Sequence, residues 1–197
     1  MNLLSLLLVG IVQSGQVCPI DFAPPGGSLV AADFGGVRLK FCGQPCLSEF
    51  KKQPVKSWQA ALKSGKIVGT LLFDPVIGKK LTPETTRGGV IEYSGVRYGF
   101  SNAQNKATFQ SSPALYAPIP LKQALYCPVM GLTLAHYWGT SGFADVDGVR
   151  IYACCENCYP KLRSDAVALA PKAKEYVGEP KVFEVAPALL KLTGPGG

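Results

Sequence analysis

Apolar and polar residues alternate along three short stretches of the chain, and each stretch has a partner across a two-residue turn. "SLVAADF", "GGVIEY" and "SGFADV" run into the dipeptides "GG", "SG" and "DG", and "VRLKF", "VRYGF" and "VRIYA" follow. A period of two is the strand signature, because successive side chains point to opposite faces. Glycine at the second turn position tolerates the positive φ that a two-residue hairpin requires. The pattern therefore predicts three β-hairpins. In the second strand of the first hairpin, Val37, Leu39 and Phe41 fall on one face, and Arg38 and Lys40 on the other. The same alternation makes Arg38, Arg97 and Arg150 equivalent and directs them to a solvated face. After the hairpins, "CLSEFKKQ", "NKATFQSS" and "CYPKLRSD" predict short helices, with Phe50, Phe109 and Leu162 packing back on the sheet and Pro160 in a first turn.

These elements recur because the chain repeats itself. Segments beginning at Gly36, Gly95 and Gly148 align without gaps from a shared Gly-Val-Arg, and Pro54 and Pro113 fall at the same offset in the first two. Upstream of each lies a related phrase: "CPIDF" from Cys18, "DPVIG" from Asp74 and "CPVMG" from Cys127. The expected organisation is α+β, with three tandem modules over 17–63, 72–122 and 126–175. Each would contain a knuckle-like turn, a hairpin and a short helix. "KSGKIVGTLL" and "APIPLKQALY" are expected to be connectors. A tail over 176–197 adds a strand around Val182 to Val185 and ends in a loose Gly/Pro segment.

Composition narrows the classes of function. With 47% hydrophobic and 17% charged residues over 197 positions, the chain has the balance of a folded protein. Its net charge of +7 is spread from Arg38 to Lys191 with carboxylates between, so no basic stripe marks a nucleic-acid groove. The apolar run from Leu3 to Leu8 is too short to span a bilayer and has the length of a signal-peptide core. Residues 1–16 are expected to be a signal peptide, with the protein secreted or held in the periplasm or cell envelope. No later segment is apolar enough to be transmembrane.

Six of the seven cysteines obey the repeat. The first copy has Cys18, then Cys42 and Cys46; the third has Cys127, then Cys154 and Cys158. Two cysteines four apart share one helix face, and the hairpin can fold the remote cysteine back against them. Three thiols would then meet where a helix begins, a metal-site geometry in which the helix dipole favours thiolates. "CPVMG", the hairpin and "ACCENC" together resemble the YHS domain of the TRASH-like group, small treble-clef-like modules implicated in metal binding. The resemblance covers nearly all of the first and third copies. It implies that Cys18, Cys42 and Cys46, and likewise Cys127, Cys154 and Cys158, are metal ligands. The middle copy has Asp74, Ser101 and Asn105 at those positions. It is expected to be a structural spacer held by Phe73, Tyr93, Tyr98, Phe100, Phe109 and Tyr116.

Three thiolates leave one position open on zinc, which takes four ligands in a closed site, and they also suit Cu(I). Either zinc or copper fits. Candidates for the fourth ligand are Asp21 in the first copy, Cys155 or His136 in the third, or water, although Cys155 lies about 100° round a helix from Cys154. Export favours a rival, in which disulfides join Cys18 to Cys42 or Cys46 and Cys127 to Cys154 or Cys158 in a scaffold without metal. A disulfide contributes a few kcal/mol and structural zinc roughly 10–16 kcal/mol, so either suffices. The third cysteine of each set is redundant in one disulfide and completes a thiolate set, which favours metal. Enzyme activity is not expected, because a cysteine nucleophile needs a base and the single histidine gives no repeated Cys-His pairing.

Overall fold

The computed structural model describes residues 15–25 and 30–187. The expected signal peptide lies outside the described residues apart from its last two. One of these, Gln16, is buried, and its side-chain amide donates to the carbonyls of Arg38 and Val68.

All three hairpins form, each with five cross-strand pairs: β1 (Val30–Phe34) with β2 (Val37–Phe41), β4 (Gly89–Tyr93) with β5 (Val96–Phe100), and β9 (Gly142–Val146) with β10 (Val149–Ala153). Both central turn residues have positive φ in every case: Gly35 and Gly36, Ser94 and Gly95, Asp147 and Gly148. That geometry matches the twist of the flanking strands. Helices α1 (Gln44–Lys52), α3 (Ala103–Ser111) and α5 (Cys158–Ser164) follow the hairpins, and the anchors Phe50, Phe109 and Leu162 are buried. Phe50 meets Phe34 and Phe41 edge-on at 5.4 and 5.5 Å, and Phe109 packs on Tyr98 at 4.9 Å.

The expected three separate treble-clef modules do not form. Among the described residues the α+β chain builds a six-stranded sheet, a four-stranded sheet and a two-stranded pair. The six-stranded sheet has the order β12-β1-β2-β3-β5-β4 and contains both the first and the second hairpin. They are joined through β3 (Gly69–Leu71), antiparallel to β2 and parallel to β5, which comes from the stretch expected to be a connector. The expected C-terminal strand, β12 (Val182–Val185), exists but lies against β1. The third hairpin sits in the four-stranded sheet, β11-β6-β10-β9, with β6 (Lys122–Ala124) and β11 (Val177–Gly178) beside it. The knuckle of the third copy is the pair β7 (Tyr126–Cys127) and β8 (Leu132–Thr133). Second helices, α2 (Pro54–Lys63), α4 (Pro113–Tyr116) and α6 (Ala166–Ala173), extend each unit.

The physical reason for this merging is that the first and third hairpins are buried on both faces, while the second is half-buried along β4. Val37, Leu39 and Phe41 face the helices as expected, but the arginines on the opposite face are not solvated: Arg38 is 5% and Arg150 2% exposed. Each has a carboxylate directly across the ladder. Arg38 Nε is 2.8 Å from Asp33 Oδ1, Arg97 Nη2 is 2.6 Å from Glu92 Oε1, and Arg150 Nη2 is 2.8 Å from Asp145 Oδ2. The Arg150 guanidinium also lies 3.7 Å from the centre of the Phe143 ring. A unit of roughly 50 residues buries so little apolar surface that it is marginal alone. Here the second faces of the hairpins supply the missing burial by packing together. One continuous core runs from Cys18, Phe34 and Phe50 through Phe73 and Tyr98 to Phe143 and Tyr152. A smaller one surrounds Cys127, Ile151, Cys158 and Leu162.

Candidate metal centres

Each centre begins with the same tight turn. The carbonyl of Cys18 accepts from the amide of Phe22 (3.0 Å), that of Asp74 from Gly78 (2.7 Å), and that of Cys127 from Gly131 (2.8 Å). The closing residue is left-handed in all three, with φ of 58° at Phe22, 74° at Gly78 and 69° at Gly131. Glycine adopts this conformation freely, whereas a bulky residue rarely does. In the first copy Asp21 braces the turn, its Oδ1 accepting from the Ala23 amide at 3.1 Å.

The hairpin carries this turn back to its own far end. Cys42 follows β2 directly and Cys154 follows β10, while Cys46 lies in the first turn of α1 and Cys158 opens α5. In the first centre the ligand atoms of Cys18, Asp21, Cys42 and Cys46 all lie within 4.8 Å of one another. The Cys42 thiol donates to Asp21 Oδ2 at 2.7 Å and stands 3.4 Å from the Cys46 sulfur. In the third copy Cys127, Cys154 and Cys158 form a second group within the same limit, with the last two sulfurs 3.6 Å apart. Cys18, Cys127 and Cys158 are buried, and the other three are half-buried. The two sets of three cysteines named from sequence are thus each brought together, and Asp21 joins the first.

The other candidates for a fourth ligand stand apart. His136 stacks on Trp138 with centroids 3.6 Å apart, and its Nδ1 accepts from the Gly139 amide at 3.2 Å. It caps a short 3₁₀ turn, Tyr137–Gly139, and belongs to neither group. Cys155 is exposed and lies outside the set of mutually close sulfurs, yet its Sγ is 3.3 Å from that of Cys158.

The local electrostatics are those of carboxylate and thiols held close. The Cys42 thiol and the Ala23 amide, both donating to Asp21, bring its pKa down to about 2. Reciprocally, Asp21 and then burial push Cys42 up. Burial raises Cys46, Cys154 and Cys158, the last to about 11. Cys127 behaves differently. Burial pushes it up, but the amides of Cys154, Met130 and Val129 outweigh that and draw it below the ordinary thiol value. Those amide donors come from the backbone of the knuckle and the strand end, a contribution that residue identities alone do not reveal. Sulfurs so close together repel as thiolates unless protons or a cation lie between them.

The middle copy shows the same geometry with other chemistry. Asp74 is fully buried, and its Oδ2 accepts from Ser101 N, Ser101 Oγ and Asn105 Nδ2, each at 2.8 Å. Asp74 Oδ1 accepts from Val76 N at 3.0 Å. The carboxylate is saturated by donors and ties knuckle, strand end and helix together.

Among the described residues no helix is long and apolar enough to cross a membrane. Set against known proteins, the chain matches no family model, no curated protein and no solved structure.

Proposed function

We propose that this protein is an exported metal-binding protein that holds a thiophilic transition metal, zinc or copper, in its two thiol-rich centres. The observation that carries this reading is the convergence of Cys18, Asp21, Cys42 and Cys46, and of Cys127, Cys154 and Cys158, each within 4.8 Å. Three sulfurs sharing one small volume are arranged for a common ion, whereas a disulfide uses two and strands the third. The resemblance of the cysteine phrases to the YHS and TRASH-like group supports the same ligand sets. The sulfurs act as thiolates, and an incoming ion displaces the protons that burial otherwise keeps on Cys46, Cys154 and Cys158. The centres join distant parts of the chain, so the ion stabilises the fold and is stored or passed on by it. No catalytic role is assigned to the cysteines.

Metal analysis of protein purified without chelator, combined with a thiol count after denaturation, tests this. The expected result is one ion per centre and all seven cysteines titratable. No bound metal, with only the cysteines left over from disulfides titrating, would support the scaffold reading instead.

A further inference from the structure

The two centres differ at two corresponding positions. Three residues after its first cysteine, the first centre has Asp21, within reach of all three sulfurs, where the third has Met130, whose side chain is turned outward at 59% exposure. One residue after the strand-end cysteine the first has Gly43, where the third has Cys155, exposed and 3.3 Å from the Cys158 sulfur. Resting on the metal-binding reading above, we propose that the centres are inequivalent in kinetics. The first is a closed Cys3Asp site that retains zinc. The third is an open three-thiolate site that exchanges its ion with thiol-bearing acceptors, and Cys155 is its exchange ligand.

The chemistry is ligand substitution without change of oxidation state. A four-coordinate ion lets a newcomer in only by losing a ligand, whereas a three-thiolate site has a free position. Cys155 binds there as a thiolate and gives up its proton, and the adjacent Cys158 takes a proton as its own bond to the ion breaks. Incoming thiols then displace Cys154, Cys127 and last Cys155, each giving up a proton as it binds and each released cysteine taking one, so the ion leaves through the exposed sulfur. The backbone of Cys155 is held for this position, its carbonyl accepting from Cys158 N at 3.0 Å and from Ser141 Oγ at 2.7 Å.

Zinc-loaded protein mixed with excess chromophoric chelator should release its two ions in separate phases, one at least about tenfold faster, taking as a floor the affinity cost of losing even an outer-shell partner. A monothiol should accelerate only the fast phase. Cys155→Ser should slow that phase and abolish the thiol effect while leaving two ions bound, and Asp21→Asn should speed the slow phase. Release of both ions at one rate, or a fast phase unaltered by Cys155→Ser, would overturn the proposal while leaving metal binding intact. A chain that takes up copper but no zinc would overturn this proposal alone, and one that takes up neither would overturn the metal-binding reading as well.

Discussion

Asp21 has two tasks that one substitution can separate. Its Oδ1 fixes the turn through the Ala23 amide, and its Oδ2 faces the sulfurs of Cys42 and Cys46 at 2.7 and 3.6 Å. In the metal-free protein the hydrogen bond that Asp21 Oδ2 accepts from the Cys42 thiol is the main reason that thiol stays protonated. Asp21→Asn keeps the turn acceptor and removes the charge, so two effects of opposite benefit are expected. Alkylation of Cys42 in the metal-free protein should become faster at neutral pH, because the thiol ionises more readily. Zinc affinity at the first centre should fall by at least the roughly 10–100-fold that losing an outer-shell partner costs, since here a ligand itself is weakened. Peptide mapping of alkylation rates and a competition titration read the two effects independently. At this scale the sequence was informative about which six cysteines come together and about Asp21 joining the first group, because spacing within a turn and across a hairpin constrains where sulfurs go. It was misleading about Arg38 and Arg150. Their partners, Asp33 and Asp145, lie five positions earlier across a two-residue turn, which places acid and base directly opposite in the ladder. Alternation alone says only that an arginine faces away from the apolar side, not that this other face is covered too.

The hairpin followed by a helix was legible as an element because its turn glycines, its alternation and its helix anchors all agree. The second helices were not foreseen, although Pro54 and Pro113 are first residues of α2 and α4, where a missing amide costs nothing and a fixed φ suits the helix. The three copies of the element allow an internal comparison. In the middle one a buried carboxylate with four donors does mechanically what an ion would do in the outer two. Replacing Asp74, Ser101 and Asn105 together by cysteine should therefore convert the middle copy into a third metal centre, raising the metal content by one ion per chain. Metal content unchanged from the parent, in a variant whose circular dichroism shows it folded, would mean that the outer centres owe their geometry to something other than the shared element. Asp74→Asn, in contrast, should lower stability by about 1–3 kcal/mol, since a hydrogen bond to a charged group is lost or weakened in a buried place. Urea denaturation reads that change.

At the scale of the whole molecule, repeat spacing suggested independent modules, whereas the structure gives one core shared by all three hairpins and a smaller one within the third copy. The cause lies in residues that look like connectors. Gly69–Leu71 supplies the strand between the first two hairpins, where a Cβ on Gly69 would lie 2.4 Å from the Val37 side chain, so only glycine lets the strands close up. Val182–Val185 then covers the open edge of β1. Long-range pairing of this kind leaves little local signal, because it depends on which edges remain free once the hairpins form. The two thiol-rich groups thus belong to one packed body, each fastened at a knuckle, a strand end and a helix start. X-ray absorption at the metal edge of the loaded protein tests the central claim most directly, since it counts the sulfurs around the ion. A shell dominated by sulfur at about 2.3 Å, with a minor oxygen contribution, is the predicted result. A shell of nitrogen and oxygen alone would contradict the account.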